Sequence, residues 1–183
     1  MRIIAGSARS LPLRAPEGFD TRPTSDQIKE TLINMLQYDI PGCYILDLFS
    51  VSVKMGLESL RRGGEYTVFV ENNRKAAKCI AENIKFTKFD KTSRLVVSDV
   101  VTALYALEGK YKFDIVFMDP PYNKELEKGA LEYLRTSSLL KEDSIIIVEA
   151  STETNFDYVE ELGFEITKYK KYKTNVHVFL RRK

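Results

Sequence analysis

From residue 44 onward, short apolar runs alternate with stretches of helical periodicity, and this alternation constrains the fold more than any other feature. Apolar runs of this length predict strands, and apolar residues spaced three or four apart predict helices between them. Buried strands separated by helices indicate a doubly wound, mostly parallel α/β sheet with helices on both faces. The predicted strands are 44–49, 66–70, 95–97, 113–118 and 144–148, and the predicted helices lie near 54–62, 76–84, 101–108, 125–136 and 155–162.

The C-terminal part of the chain departs from this alternation. Residues 164–172 and 176–181 are two extended runs that follow each other directly and are joined near Thr174 and Asn175. Such a pair predicts an antiparallel hairpin. We therefore expect a seven-stranded, Rossmann-like sheet that ends in a C-terminal antiparallel hairpin.

The N-terminal residues predict a small extension to the core. Segments 2–4 and 11–14 are short and extended, which predicts a β-hairpin. Thr24 followed by Gln27 has the spacing of a capping box, and apolar residues then recur at helical spacing over about 25–38. The length fits a single domain over residues 1–183, with the hairpin and helix extension in 1–40 and the core in 41–183.

A distinctive motif, Asp119-Pro-Pro-Tyr122, follows the apolar run 113–118. Asp119 and the Pro120 carbonyl accept hydrogen bonds, the prolines bring no competing N–H groups, and Tyr122 offers a flat face for stacking. This combination suits a planar amine such as a nucleobase. The alternative is a polar turn after a buried strand.

Acidic residues lie in or after each of the first four predicted strands, at Asp47, Glu71, Asp99 and Asp119. Ligands of doubly wound sheets bind beyond the carboxyl ends of the strands, and an acid such as Glu71 after the second strand bridges ribose hydroxyls. Asp99 is placed to accept from an adenine amino group. The alternative for each acid is a helix N-cap or a surface charge, and it is strongest for Asp99.

The composition is that of an ordinary globular protein, with 44% hydrophobic and 30% charged residues. The sequence contains no apolar stretch of membrane-spanning length and no visible secretory signal. Cys43 and Cys79 lie in apolar contexts and are expected to be buried, reduced thiols rather than a disulfide, and one histidine with two cysteines makes no metal cluster. We expect a cytoplasmic monomer without metal or membrane contacts.

The net charge is only +2, but basic residues concentrate near both ends of the chain. Residues 166–183 contain seven Lys or Arg and no acid, and Arg2, Arg9, Arg14 and Arg22 lie near the start. Such a distribution favours a polyanionic partner, although a solvated basic surface is the alternative.

The motifs together resemble those of a known enzyme family. Their order resembles class I S-adenosylmethionine-dependent methyltransferases: Asp47-Leu-Phe-Ser50, Phe69-Val-Glu-Asn72, Ser98-Asp-Val100 and Asp119-Pro-Pro-Tyr122. The N-terminal segments 1–9, 15–18 and 21–26 resemble the RsmD family, and the resemblance covers essentially the whole chain. It implies methylation of the exocyclic N2 amine of a guanine in small-subunit (16S) ribosomal RNA, free or within the small ribosomal subunit.

The resemblance also implies a role for each matching residue. The catalytic residues are Asp119, Pro120 and Tyr122, and the S-adenosylmethionine-binding residues are Thr24, Asp47, Ser50, Gly56, Glu71, Asn72, Asp99 and Val100. The residues expected to bind RNA phosphates are Arg2, Arg9, Arg22, Lys171 and Lys173. Lys54 is expected to face solvent, and His177 is expected to pack or hydrogen-bond within the last strand rather than act as a base.

One motif departs from the family pattern. After Asp-Leu-Phe-Ser the family has Gly-Ser/Thr-Gly-x-x-Gly, whereas this chain has Val51 and Val53 in place of the first two glycines and retains only Gly56. Valine resists positive φ, and its methyl groups are expected to enter the space of the cofactor. Three explanations stay open: a rearranged loop that binds cofactor weakly, loss of catalysis, and an engineered or misrecorded sequence.

Three functions follow from these observations. The first is methylation of ribosomal RNA, and the second is RNA binding by a relative that lacks catalysis because of Val51 and Val53. The third is methylation of the N6 amine of adenine in DNA, because enzymes of that class also use Asp-Pro-Pro-Tyr. The chain has no evident DNA-recognition domain, and its N-terminal motifs favour ribosomal RNA.

Overall fold

A computed structural model describes residues 13–15, 23–51 and 53–183. Helices and strands alternate along most of this length, as the sequence pattern predicts. The elements are α1 (Pro23–Met35), β1 (Tyr44–Leu48), α2 (Lys54–Arg61), β2 (Tyr66–Glu71), α3 (Arg74–Phe86), β3 (Ser93–Val97), α4 (Val100–Leu107), β4 (Phe113–Met118), α5 (Leu126–Leu134), β5 (Leu140–Ser151), α6 (Tyr158–Glu161), β6 (Phe164–Lys171) and β7 (Asn175–Arg182).

The strands form one seven-stranded sheet in the order β3-β2-β1-β4-β5-β7-β6. Strands β1 to β5 pair in parallel, and β7 is antiparallel to both β5 and β6. The predicted doubly wound sheet with its C-terminal hairpin is therefore confirmed. The chain moves outward from β1 to β3 and then returns to β4 beside β1, so the topological switch point lies between β1 and β4, where ligands of such sheets bind.

Alternating side chains of the central strands build a core on each face of the sheet. In β1, Leu46 and Leu48 pack with Leu104 of α4 and Leu131 of α5. Ile45 points to the opposite face, where it packs with α1. Burying each such aliphatic side chain contributes about 1.5–3 kcal/mol, so these two layers fix the register of the strands whose ends carry the site.

Several element boundaries differ from the predictions. Helix α1 begins at Pro23, where a missing N–H costs nothing, so Thr24 lies inside the helix and is not its cap. Strand β5 begins at Leu140 instead of 144, and Ser144 donates to the Phe113 carbonyl where the β4–β5 register shifts. Helix α6 has only four residues.

Three further expectations concern the N-terminal hairpin, the cysteines and membrane-spanning helices. The predicted hairpin at 2–4 and 11–14 lies outside the described residues, apart from residues 13 and 14. Cys43 and Cys79 are free thiols, as predicted, but both are partly exposed, so the expectation that they are buried is wrong. Within the described segments, no helix combines the length and apolarity needed to cross a bilayer.

Candidate active site

A cavity of about 680 Å³ lies at the carboxyl ends of strands β1 to β4, at the switch point. A volume in this range suits a small-molecule ligand. Most of its wall comes from the strand-end motifs, and the predicted site residues that line it are Glu71, Asn72, Asp99, Val100, Asp119, Pro120 and Tyr122. Phe49 and Val51 complete the wall beside β1.

Glu71 is buried at the end of β2 and keeps unused acceptor capacity. Its Oε1 accepts the Asn73 backbone N–H at 2.8 Å, which holds the carboxylate in place. Its Oε2 is buried and has no hydrogen-bond partner among the described residues. Burial raises the pKa of Glu71, although the Asn73 N–H opposes the shift. A buried carboxylate with a spare oxygen on a cavity wall is suited to accept from ligand hydroxyl groups.

Asp99 lines the same cavity but also caps a helix. Its carboxylate accepts the Thr102 backbone N–H at 2.9 Å at the start of α4. Hydrogen bonds from Thr102 hold the pKa of Asp99 below its usual value. The helix-cap interpretation is thus correct for Asp99, and its second carboxylate oxygen is the one left for a ligand.

Asp119 follows β4 directly and forms an ion pair with a lysine that the sequence did not single out. Lys29 Nζ of α1 lies 2.6 Å from Asp119 Oδ2. The lysine side chain is only 5% exposed, whereas that of Asp119 is 24% exposed and reaches the cavity. Burial raises the pKa of Asp119, and Lys29 opposes the shift. The pair anchors one carboxylate oxygen and leaves Oδ1 for a ligand.

Glu149 of β5 supports the aromatic residue of the motif. It is buried, accepts the Asn175 side-chain amide at 2.9 Å, and lies 3.1 Å from His177 Nε2. The Tyr122 hydroxyl lies 3.4 Å from Glu149 Oε1, and burial followed by the charge of Glu149 raises the tyrosine pKa. His177 therefore packs and hydrogen-bonds inside the last strands, as predicted.

Three other predicted cofactor residues, Asp47, Ser50 and Gly56, do not line the cavity. Asp47 Oδ2 accepts the Gly56 backbone N–H at 3.2 Å, and the Ser50 hydroxyl accepts the Val70 N–H at 3.1 Å. A Cβ on Gly56 would lie 2.2 Å from the Phe69 ring, so α2 packs against β2 only because this residue is glycine. These contacts hold the loop between β1 and α2 against the sheet.

The buried Asp47 makes the stability of the fold depend on pH. Burial raises its pKa from 3.8 to about 7, against the attraction of Lys29 and the Gly56 hydrogen bond. Because the folded state then binds the proton more tightly than the unfolded state, the stabilisation is full at low pH and is lost as the pH rises toward 7. We expect Asp47→Asn to abolish this loss, as measured by urea denaturation at about pH 4.5 and pH 8. A stability difference between native and variant that is the same at both pH values would contradict this expectation.

The two valines of the altered loop lie in different environments. Val51 lines the cavity, as expected for a side chain that replaces a motif glycine. Val53 instead is 1% exposed and packs with Leu57, Phe69 and Ile80. Its φ of 43° lies in the left-handed region, which costs a β-branched residue about 1–3 kcal/mol. The expectation that both sets of methyl groups enter the ligand space is therefore wrong for Val53, whose burial offsets its strain.

Substituting Val53 by glycine and by alanine distinguishes the cost of backbone strain from the loss of buried side-chain atoms. Both substitutions remove the buried methyl groups, but only glycine accepts φ of 43° without cost. We expect Val53→Gly to be more stable than Val53→Ala by about 1 kcal/mol in urea denaturation. An alanine variant as stable as the glycine variant would show that the loop carries no such strain.

The basic residues divide into internal and external groups. Lys54 does not face solvent: its side chain is 4% exposed and its Nζ lies 3.3 Å from Asp26 Oδ1, which ties α2 to α1. Arg182 donates to the carbonyls of Ser137 and Leu140. Lys171 and Lys173 are exposed. Arg2, Arg9, Arg22 and the side chain of Thr24 lie outside what the structure describes.

Sequence reasoning missed Lys29, Glu149 and Asn175. A signal existed for two of them. Lys29 lies three and four residues before Leu32 and Ile33, which places it on the buried stripe of α1. Glu149 is an acid at the end of an otherwise apolar strand. Asn175 lies in the predicted turn near Thr174 and carries no comparable signal.

Known proteins are similar to this chain in sequence and fold. A family model described as Conserved hypothetical protein 95 matches residues 1–181. A candidate rRNA methyltransferase of Bacillus subtilis, YlbH, is 35% identical over 154 residues, which cover 84% of each protein. Ribosomal RNA small subunit methyltransferase D of Haemophilus influenzae is 32% identical over 181 residues, which cover 94% of this chain and 93% of that protein.

A solved structure extends the similarity to three dimensions. A candidate methyltransferase of Escherichia coli superposes with a TM-score of 0.84 at 27% identity, covering 100% of this chain and 98% of the other. The sequence match over residues 1–181 and the fold match over the chain point to the same family. The chain therefore belongs to the RsmD family of methyltransferases.

Proposed function

We propose that this protein transfers a methyl group from S-adenosylmethionine to the exocyclic N2 amine of a guanine in small-subunit ribosomal RNA. The observation that carries the proposal is that Glu71 and Asp119 line one cavity at the switch point. Glu71 suits the hydroxyls of a ribose and Asp119 suits an amine, which supports binding of a nucleoside-bearing cofactor beside a base. The curated relative from Haemophilus influenzae is a small-subunit rRNA methyltransferase, which supports the choice of RNA.

The cavity fits the cofactor in volume and in donor set. Glu71 Oε2, which has no hydrogen-bond partner in the described part of the chain, and the exposed Asn72 are suited to the ribose hydroxyls, and Asp99 to the adenine amino group. Phe49 and Val100 supply apolar walls for the adenine ring. Bound there, S-adenosylmethionine supplies an activated methyl group. Asp47, Ser50 and Gly56 would act indirectly by holding the loop, and Thr24 stays a predicted contact.

Asp119, Pro120 and Tyr122 would prepare the guanine amine. The lone pair of this nitrogen is delocalised into the base, so it is a weak nucleophile. Asp119 Oδ1 and the Pro120 carbonyl accept its two N–H groups, which favours a pyramidal nitrogen with a localised lone pair. Asp119 then takes the proton that the methylated nitrogen releases. Tyr122 stacks on the base and keeps the nitrogen in line.

The RNA partner would contact the exposed basic residues. Lys171 lies on β6, the outer strand of the sheet, and Lys173 lies in the turn that follows. Together with Arg2, Arg9 and Arg22 they are proposed to bind phosphates as the monomeric enzyme docks on the RNA or the small subunit. A guanine in an open loop reaches such a pocket most easily, because it need not leave a helix.

A labelled-methyl assay tests the proposal against its alternatives. Purified protein is incubated with radiolabelled S-adenosylmethionine and with unmodified small subunits, free 16S rRNA, or adenine-containing DNA. Label in either RNA sample, with none in DNA, is the expected result. Label only in DNA would favour the adenine-N6 activity, and RNA binding without transfer would favour the non-catalytic relative.

A further inference from the structure

Lys29 is a buried cation among several carboxylates. It projects from α1, outside the strand-end motifs, and its ammonium lies 2.6 Å from Asp119 Oδ2. Burial alone would lower its pKa, but the attraction of Asp119, Glu149 and Asp47 outweighs burial and raises the pKa of Lys29. This lysine is therefore a permanent positive charge shared by the acids of β1, β4 and β5.

Without a nearby cation, these acids would repel one another in a medium of low dielectric. The pKa of Asp119 responds to Lys29 of α1, Glu149 of β5 and His177 of β7, and that of Asp47 of β1 responds to Asp119. The Tyr122 hydroxyl lies 3.4 Å from Glu149 Oε1. Two like charges at such a site favour protonation of one carboxyl. A protonated Asp119 neither accepts the substrate N–H well through Oδ1 nor takes a proton from the product.

We propose that Lys29 is a positioning residue for methyl transfer, which anchors Asp119 through Oδ2 and keeps its carboxylate ionised, with Oδ1 directed to the substrate amine. The inference rests on the proposed function, because it assigns Asp119 the role of acceptor. It goes beyond that function because it assigns α1, the helix of the N-terminal extension, a role in positioning the Asp119 carboxylate. Removal of this cation is expected to raise the pKa of Asp119 further.

The test compares Lys29→Met with Lys29→Arg in methyl-transfer assays over a range of pH. We expect methionine to lower kcat at neutral pH about 30-fold, the loss typical of a charged hydrogen bond, with KM for S-adenosylmethionine changed less than about threefold. The acid limb of the kcat profile should move to higher pH, so that activity partly recovers in alkaline buffer. Arginine should restore the native limb, because it keeps the charge.

Lys54→Met is the matched control. Lys54 is also a buried lysine paired with a carboxylate, that of Asp26. Its loss is expected to lower thermal stability without moving the acid limb. If Lys29→Met reduced kcat equally at every pH and kept the native limb, Lys29 would have a structural role only and the inference would be overturned.

A titration of the Asp119 carboxyl by carbon-13 NMR separates this inference from the proposed function. The signal in the native chain should titrate at lower pH than in Lys29→Met, whether or not methyl is transferred. If the native chain proved inactive but the two titrations differed, the proposed function would fail and the effect of Lys29 on Asp119 would stand. If the Asp119 carboxyl titrated at the same pH in the native chain and in Lys29→Met, and the native chain were active, the role of Lys29 would be overturned and the proposed function would stand.

Discussion

Asp119→Asn is expected to lower the rate of methyl transfer about 1,000-fold, within the range that general acid–base groups contribute. Asparagine keeps the shape of the side chain and one acceptor oxygen. It loses the negative charge that pairs with Lys29 and the ability to take the product's proton. Single-turnover transfer of labelled methyl to RNA measures the effect, and S-adenosylmethionine affinity should change less than about threefold because Asp119 is assigned to the base.

Asp114→Asn is the control for this substitution. Asp114 lies near the start of the same strand and is also paired with a lysine, since Lys141 Nζ lies 2.5 Å from its Oδ1. It is not among the residues of the cavity wall. Asp114→Asn should therefore keep native kcat. A methyl-transfer rate for Asp119→Asn within tenfold of the native rate would show that Asp119 is not a catalytic residue.

Glu71→Ala is expected to weaken S-adenosylmethionine binding by at least about 100-fold. Two hydrogen bonds from ribose hydroxyls to a carboxylate are lost, and a bond to a charged group contributes about 1.5–3 kcal/mol. Isothermal titration calorimetry measures the affinity directly. Because Glu71 also accepts the Asn73 N–H, a thermal melt is needed to confirm that the variant is folded.

Glu65→Ala provides the comparison for Glu71. Glu65 is exposed immediately before β2, whereas Glu71 ends that strand at the cavity. The control should bind S-adenosylmethionine as tightly as the native chain. If a folded Glu71→Ala variant bound S-adenosylmethionine as tightly as the native chain, the ribose would not bind at Glu71 Oε2.

The fold was predictable because the sequence pattern is local and the sheet rule is general. Apolar runs spaced by helices predict parallel strands, and parallel strands bring their carboxyl ends to one edge. For this reason the sequence alone predicts that Glu71, Asp99 and Asp119 lie together, and the cavity wall contains all three. Helix boundaries were less predictable, as the start of α1 at Pro23 shows, because a proline and a cap residue compete for the same turn.

The contacts behind the cavity were not predictable from strand ends alone. The pair between Lys29 and Asp119 joins residues 90 positions apart, and it depends on how α1 packs on the sheet. Lys54 was expected in solvent because nothing near it in sequence revealed that Asp26 would reach it. Likewise, a positive φ at Val53 is expected because it replaces a glycine of the family motif. Its burial depends on the packing of α2 and α3, which the local sequence does not reveal.

The most direct test of the proposed activity is to identify the methylated atom. Unmodified small subunits are treated with the protein and S-adenosylmethionine, and the RNA is digested to nucleosides for mass spectrometry. We expect N2-methylguanosine in the native sample and its loss with Asp119→Asn. A digest without N2-methylguanosine, or one in which the label appears only on another base, would contradict this expectation.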